Sequence, residues 1–179
     1  MITSKAERDR YFAADLARSG VARWRLWSGV RYPILLFQRR LRHTEYVVNT
    51  SGKGAIGKVR RLICLFRLRK AGMRLGFTVH PNVFGPGLCI VHWGTLVVNP
   101  HVRVGADCRI HPGTSLGETK GGSPVLGDGC YIGPGAKLFG PIVLGDRVQV
   151  GANAVVNKSF GSDAVLVGIP ASDISRRAS

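Results

Sequence analysis

Few side chains in this sequence can do acid–base or nucleophilic chemistry: five histidines, His43, His80, His92, His101 and His111, and four cysteines, Cys64, Cys89, Cys108 and Cys130. His43 closes the run Arg39-Arg40-Leu41-Arg42-His43 and reads as part of a solvated basic face. His80, before Pro81, reads as structural, and His101, between Pro100 and Val102, as an exposed corner. His92 and His111 stand apart because 19 residues separate them, close to the repeat of the chain around them. An imidazole with an ordinary pKa near 6.5 is mostly neutral at neutral pH and can take a proton from a hydroxyl. The cysteines form no CxxC pair, which excludes a zinc ribbon or a dithiol redox motif, so they read as reduced, packed thiols. Cys89 and Cys108 lie near the two histidines, which makes a Cys–His nucleophile the competing chemistry. No metal site is expected.

The elements that must position these groups fall into two halves. From Val83 onward, aliphatic residues followed by Gly or another small residue recur every six positions: Val104-Gly105, Ile110, Leu116-Gly117, Leu126-Gly127, Ile132-Gly133, Leu138, Leu144-Gly145, Val150-Gly151 and Val156. So short a period marks a solenoid. Each six-residue side points one aliphatic into the axis, and the next residue is expected at a corner, where Gly or Asn tolerates positive φ. Three sides make a coil of 18 residues, so positions 18 apart stack. The column slips twice. Phe84, Ile90 and Leu96 run two residues out of step with Val98, and the step from Leu116 to Leu126 is ten. The extra residues fall in Gly117–Pro124, a loop that must leave the prism, and solenoids place insertions on their binding face. We expect His92 and His111 to lie one above the other on an edge that also carries the Glu118–Pro124 loop.

Residues 1–76 read as a basic helical region and 77–179 as the solenoid with a short tail. The first holds 18 basic and 4 acidic residues, net +14, against 8 and 6, net +2, in the second. Two to four helices are expected, around Tyr11–Ala17, Ile34–Phe37 and Val59–Leu75, with breaks at Gly20, Pro33 and Asn49–Gly54. Trp24, Trp27, Phe37, Leu65 and Phe66 are expected to pack inward. The start is too charged for a signal peptide and the longest apolar run, Tyr32–Phe37, is far too short for a membrane span, so the expected location is the cytoplasm. Arg39, Arg40, Arg42, Lys58, Arg60, Arg61, Arg67, Arg69, Lys70 and Arg74 carry no zinc finger, RNA motif or aromatic platform, which excludes a recognisable nucleic-acid binder. They suit peripheral contact with anionic lipid headgroups.

Five segments resemble the serine acetyltransferase group of hexapeptide-repeat acyltransferases: Val79-His80-Pro81, Ile90–Thr95, Tyr131–Lys137, Val150–Val156 and Val167–Ala171. With its basic helical half, the whole chain is similar to the branch found in capsule and exopolysaccharide clusters. The resemblance implies a mainly β fold, a left-handed parallel β-helix with an N-terminal α-helical region, and a homotrimer. It implies acetyl-CoA as co-substrate, lying between adjacent prisms against Gly133, Ala136, Ala152, Gly168 and Pro170. Lys137, Lys158, Arg176 and Arg177 would meet its phosphates. His92 takes the place of the family's catalytic base, and His111 or corner amides would hold the oxyanion.

The family's serine-binding groups are replaced. Val91 stands where an Asp contacts the serine ammonium, Thr78 or Val79 where an Asp orients the base, and Gly122–Leu126 where a loop supplies an Arg and a second His. Buried charged groups need partners, so an uncharged saccharide hydroxyl, held by Trp93, Glu118 and Ser123, is the expected acceptor, and the expected activity is O-acetylation of a bacterial surface polysaccharide or its precursor. Serine acetyltransferase is the alternative within the family. A zinc hydratase on His80, His92 and His111, and a silent scaffold, are the alternatives outside it.

Overall fold

The computed structural model describes residues 1–25 and 27–175. α1 (Lys5–Arg18) begins where Ser4 Oγ accepts the Glu7 amide at 3.1 Å, satisfying one of the unpaired amides of a first turn. α2 (Ser28–Arg31) is a single turn, and α3 (Pro33–Thr50) opens on Pro33, whose missing N–H is no loss there. α4 (Ala55–Leu75) ends at Gly76, which adopts φ +82°, the left-handed cap that releases the chain into the solenoid. The inward set expected from sequence divides. Phe37 is buried edge-on to Phe77 at 5.2 Å and Trp24 is half-buried against Phe12. Trp27, Leu65 and Phe66 face solvent in this chain. α4 packs through Cys64, Leu68, Ala71 and Gly72, and at 3.6 residues per turn Phe66 falls on the opposite side of the helix.

The remainder is a parallel β-helix of about 5 turns. The first coil holds β1 (Phe77–Thr78) and β2 (Cys89–Ile90). The second holds β3 (Leu96–Val98), β4 (Arg103–Val104) and β5 (Arg109–Ile110). The third holds β6 (Thr114–Gly117), β7 (Val125–Leu126) and β8 (Tyr131–Ile132). The fourth holds β9 (Lys137–Phe139), β10 (Val143–Leu144) and β11 (Gln149–Val150). The fifth holds β12 (Val155–Val156) and β13 (Val165–Gly168), onto which β14 (Ala171–Asp173) folds back antiparallel. Three faces result, ordered β1-β3-β6-β9-β12, β4-β7-β10 and β2-β5-β8-β11-β13-β14. The axis is filled by Leu96, Ile110, Leu116, Ile132, Leu138, Leu144 and Leu166, all essentially without solvent contact.

The hexad column is the register. Ile132 pairs with Val150 and Leu138 with Val156, 18 apart. Leu116 pairs with Leu138 and Val104 with Leu126, 22 apart across the inserted loop. Ile90 pairs with Ile110, 20 apart, which is the two-residue slip.

The small residue after each aliphatic has a different cause from the one expected. Gly105, Gly127, Gly133 and Gly145 do not take positive φ; that conformation falls two residues later, at Asp107, Gly129, Gly135 and Arg147. What excludes a side chain is the next coil: a Cβ on Gly133 would lie 2.7 Å from the Val150 carbonyl, and one on Gly105 2.7 Å from Gly127.

The helical half grips the first coil through Arg42, which the sequence groups with the surface cations. Its side chain is wholly buried and pairs with Asp15 on α1 and Glu45 one turn on. It also donates to the carbonyls of Phe84 at 2.8 Å and Gly85 at 2.6 Å. Burial pushes the carboxyls of Asp15 and Glu45 up, with Arg42 opposing. Burial would lower Arg42, and the two carboxylates more than reverse it.

Candidate active site on the histidine edge

Chain order places one edge of the prism between the β2-β5-β8-β11-β13 face and the β3-β6-β9-β12 face. His92, His111, the Gly133–Ala136 corner, Ala152 and the Gly168–Pro170 turn all lie on it. The His92 corner is fixed on both sides, Val91 N–H donating to Ile110 at 3.1 Å and Gly94 N–H to Leu75 at 2.9 Å. The His92 side chain is exposed, and among the described residues nothing hydrogen-bonds to its ring. The offset is 20 at Ile90–Ile110 and 18 at Leu96–Thr114, so the His92 corner holds two residues more than the His111 corner below it, with Gly94 against Pro112. The two histidines are near enough for the charge of one to act on the other. His111 is half-buried edge-on to Tyr131 at 5.1 Å, with Nε2 buried and without a hydrogen-bond partner. Burial, then the charges of Arg109 and His92, hold its pKa below the usual histidine range, so it is a neutral imidazole retaining one N–H.

The Glu118–Pro124 loop does not share this edge. It leaves after β6 and returns at β7, at the next corner of the triangle. There Glu118 accepts from Asn99 Nδ2 at 3.2 Å and pairs with His101 Nδ1 at 3.0 Å. Ser123 Oγ is buried without a partner. A four-residue insertion shifts register without saying at which corner it emerges, and two of three corners follow no histidine. Lys158 lies on this second edge, over the Phe160 ring at 5.5 Å, and so does His80, which follows β1.

Of the residues expected against a CoA arm, Ala152, Gly168 and Pro170 are exposed along the histidine edge. Gly133 and Ala136 are buried in the wall, Ala136 within the axial core, so they set the spacing of the wall and offer no side-chain surface. Lys137 is exposed beside them, its ammonium donating to Gly113 O and lying 3.4 Å from Ser115 Oγ. Arg176 and Arg177 lie outside the described residues. Among the described residues no group of three or more His, Cys, Asp or Glu converges as a metal site. Cys89 and Cys108 are both buried, which keeps either sulfur from reaching a substrate, and burial pushes the Cys108 thiol up.

A cavity of about 350 Å³ opens beside the His92 corner. Val91 and Trp93, which flank His92 in the chain, line it together with Arg109 of β5, and Arg18, Arg31 and Gln38 of the helical half. A larger one of about 540 Å³ lies among α1, α3 and α4, lined by none of the histidine-edge residues. The three arginines of the smaller cavity come from α1, α2 and β5 and have no motif in common. Nothing in the sequence distinguishes them among 26 basic residues.

Residues 123–158 match the model of the bacterial transferase hexapeptide (six repeats). The match lies within the solenoid half of the chain. Over 100 residues the chain is 41% identical to the serine acetyltransferase of Mycobacterium tuberculosis, covering 53% of this chain and 44% of that protein. Over 106 residues it is 38% identical to the serine acetyltransferase of Helicobacter pylori J99, covering 56% and 62%. It therefore spans about half the length of the curated relatives it matches. Among solved structures, a serine acetyltransferase in complex with CoA superposes with TM-score 0.76 at 25% identity, covering 95% of this chain and 71% of that one. The soybean serine acetyltransferase apoenzyme gives 0.77 at 25%, covering 95% and 70%. These names overturn the expectation of a saccharide acceptor and a capsule or exopolysaccharide branch. The inference from missing charges considered only positions near His92 in the sequence, whereas the cavity lined by its neighbours Val91 and Trp93 is also lined by Arg18, Arg31 and Arg109 from elsewhere in the chain.

Proposed function

We propose that the chain is an acetyl-CoA-dependent serine O-acetyltransferase that uses His92 as general base. The observation that carries this reading is the alignment along one edge of His92, the neutral His111, and the exposed small residues Ala152, Gly168 and Pro170. Acetyl-CoA supplies an acyl group already activated as a thioester, so no enzyme nucleophile is needed. His92 takes the proton of the serine hydroxyl as its oxygen bonds to the acetyl carbon, and returns it to the departing thiolate. The His111 N–H or a corner amide stabilises the developing oxyanion. Four inter-coil steps of about 4.8 Å, roughly 19 Å in all, separate the His92 coil from Gly168–Pro170, a track for an extended arm, and Lys137 suits a phosphate.

In the same reading the enzyme is a trimer. Exposed Val97, Val125, Phe139 and Val143 on the prism faces gain by mutual burial, and a neighbouring prism would bring the Glu118–Ser123 loop of one subunit toward the histidine edge of the next. The test is CoA thiol release from acetyl-CoA with and without L-serine. Absence of any serine-dependent release by the purified trimer would refute the assignment.

A further inference from the structure

The larger cavity, about 540 Å³ among α1, α3 and α4, plays no part in acetyl transfer, because none of the histidine-edge residues lines it. Its wall carries Arg8 of α1, Arg39 and Arg40 of α3, and Arg67, Lys70 and Arg74 of α4. Among the described residues one carboxylate shares that wall, Asp9, and it pairs with Arg8 at 2.8 Å. Arg42 lines the cavity too, but Asp15 and Glu45 neutralise it. The other five cations have no carboxylate within ion-pairing distance among the described residues. Lys70 follows Arg67 by three positions and precedes Arg74 by four, so like charges are neighbours along one face of α4, an arrangement that destabilises a helix unless an anion offsets it. Their field reaches His43 on the same wall: burial, then the charges of Arg8, Arg60, Arg39 and Arg67, hold its pKa below the usual histidine range. Arg39 lies over the Trp24 ring at 5.4 Å, which positions the guanidinium without neutralising it. Cations from three helices around one concave volume suit an anion with oxygens in several directions, as a tetrahedral phosphate has and a planar carboxylate has not. Five unneutralised charges ask for more than one phosphate, and a flat bilayer cannot meet all three walls of a concavity. We infer that this cavity binds a compact soluble ligand carrying two or more linked phosphate groups, at a site separate from the acetyl-CoA track and independent of the serine reading.

Arg40 and Arg67 are exposed, so each can be replaced without disturbing the helix packing. The probe is inorganic pyrophosphate, titrated calorimetrically into the full chain at fixed ionic strength, with orthophosphate beside it. Wild type is expected to bind pyrophosphate at least about tenfold more tightly than orthophosphate. Its melting temperature should rise with pyrophosphate, since a ligand that binds only the folded state stabilises it. Arg40→Gln and Arg67→Gln, on neighbouring helices, should each weaken pyrophosphate by roughly 10-fold, as for one lost charge-assisted contact, and should leave the ligand-free melting temperature unchanged. Arg69→Gln, on α4 but not on the cavity wall, removes the same charge and should weaken binding by less than about twofold, because exposed charges at a distance are screened. Saturating CoA should leave pyrophosphate bound. If pyrophosphate binds no better than orthophosphate, or if Arg69→Gln costs as much as the cavity variants, the attraction is a diffuse field and the inference is wrong. Displacement by CoA would assign the cavity to the co-substrate and overturn it equally. If pyrophosphate does not bind while the two cavity variants lose capture by phosphatidylserine vesicles, the cations serve a lipid surface and the soluble ligand is refuted.

Discussion

Arg42 and Asp15 form a two-pronged ion pair with no solvent contact, Nε to Oδ2 at 2.9 Å and Nη2 to Oδ1 at 3.0 Å, tying α3 to α1. Removing one member of such a pair leaves a buried charge alone and costs roughly 3–5 kcal/mol. Arg42→Ala is therefore expected to lower the melting temperature sharply or to prevent folding of the helical half, and Arg42→Lys to fall between, since an ammonium cannot reproduce the fork. Arg40→Ala, on the exposed side of the same helix, should be neutral. Equal melting curves for the Arg42 and Arg40 variants would contradict the role given to the pair.

His92→Ala is expected to lower serine-dependent thiol release by roughly 10²- to 10⁴-fold, the range for a lost general base, while CoA binding is retained. His111→Ala should cost less. A His92 variant retaining more than about a tenth of wild-type kcat would place the base elsewhere.

Gly133 sits where a Cβ would approach the Val150 carbonyl to 2.7 Å, whereas Gly161 has open space around it. Gly133→Ala should destabilise by about 1–3 kcal/mol through overpacking, and Gly161→Ala should leave the melting temperature nearly unchanged. Differential scanning calorimetry on the pair separates steric stacking from a general aversion to side chains at these positions.

α4 carries Lys58, Arg60, Arg61, Arg67, Arg69, Lys70 and Arg74 and no acidic residue. Val59, Leu62, Phe66 and Met73 form an exposed line between these cations, on the side opposite the packed one. No helix among the described residues is long and apolar enough to cross a membrane. We propose that this face rests on an anionic bilayer at the cytoplasmic side. Flotation with phosphatidylserine-containing vesicles should capture the protein at low salt and release it as salt rises. Leu62→Ser with Phe66→Ser should abolish capture without altering oligomeric size. If the double variant instead changes the oligomeric size, the face belongs to subunit contact.

The solenoid was legible because its cause is local. One aliphatic per six residues and one small residue beside it are consequences of coil geometry that survive in any order of reading, and even the two register slips emerge as the 20- and 22-residue offsets of the ladder. The helices were legible from Gly20, Pro33 and the Asn49–Gly54 break for the same reason. The site was legible only where it follows the repeat. His92 and His111 could be placed on one edge by counting, but the corner from which the Glu118–Pro124 loop leaves could not. Arg42 and Arg109 illustrate the larger difficulty. Both are arginines among many, and one is buried while the other lines a cavity, because of contacts with residues tens of positions away. Composition gave the half of the chain in which charge accumulates and nothing about which charges meet.

A stack of parallel strands has two open ends, each a row of unpaired peptide groups that a second molecule could extend. The contacts of Arg42 with the carbonyls of Phe84 and Gly85, of Gln38 with that of Leu88, and of Asp15 with the Leu88 amide at 2.8 Å consume the groups a further coil would need at one end. At the other end β14 runs antiparallel to β13, so the last edge offers the wrong polarity to an incoming first coil. The helical half and the terminal hairpin thus act as stoppers against fibre growth. Because β14 would still cap the far end, a chain stripped of residues 1–76 would be expected to stop at small assemblies through its bared first coil, and only one that also lacked β14 to elongate head to tail in solution.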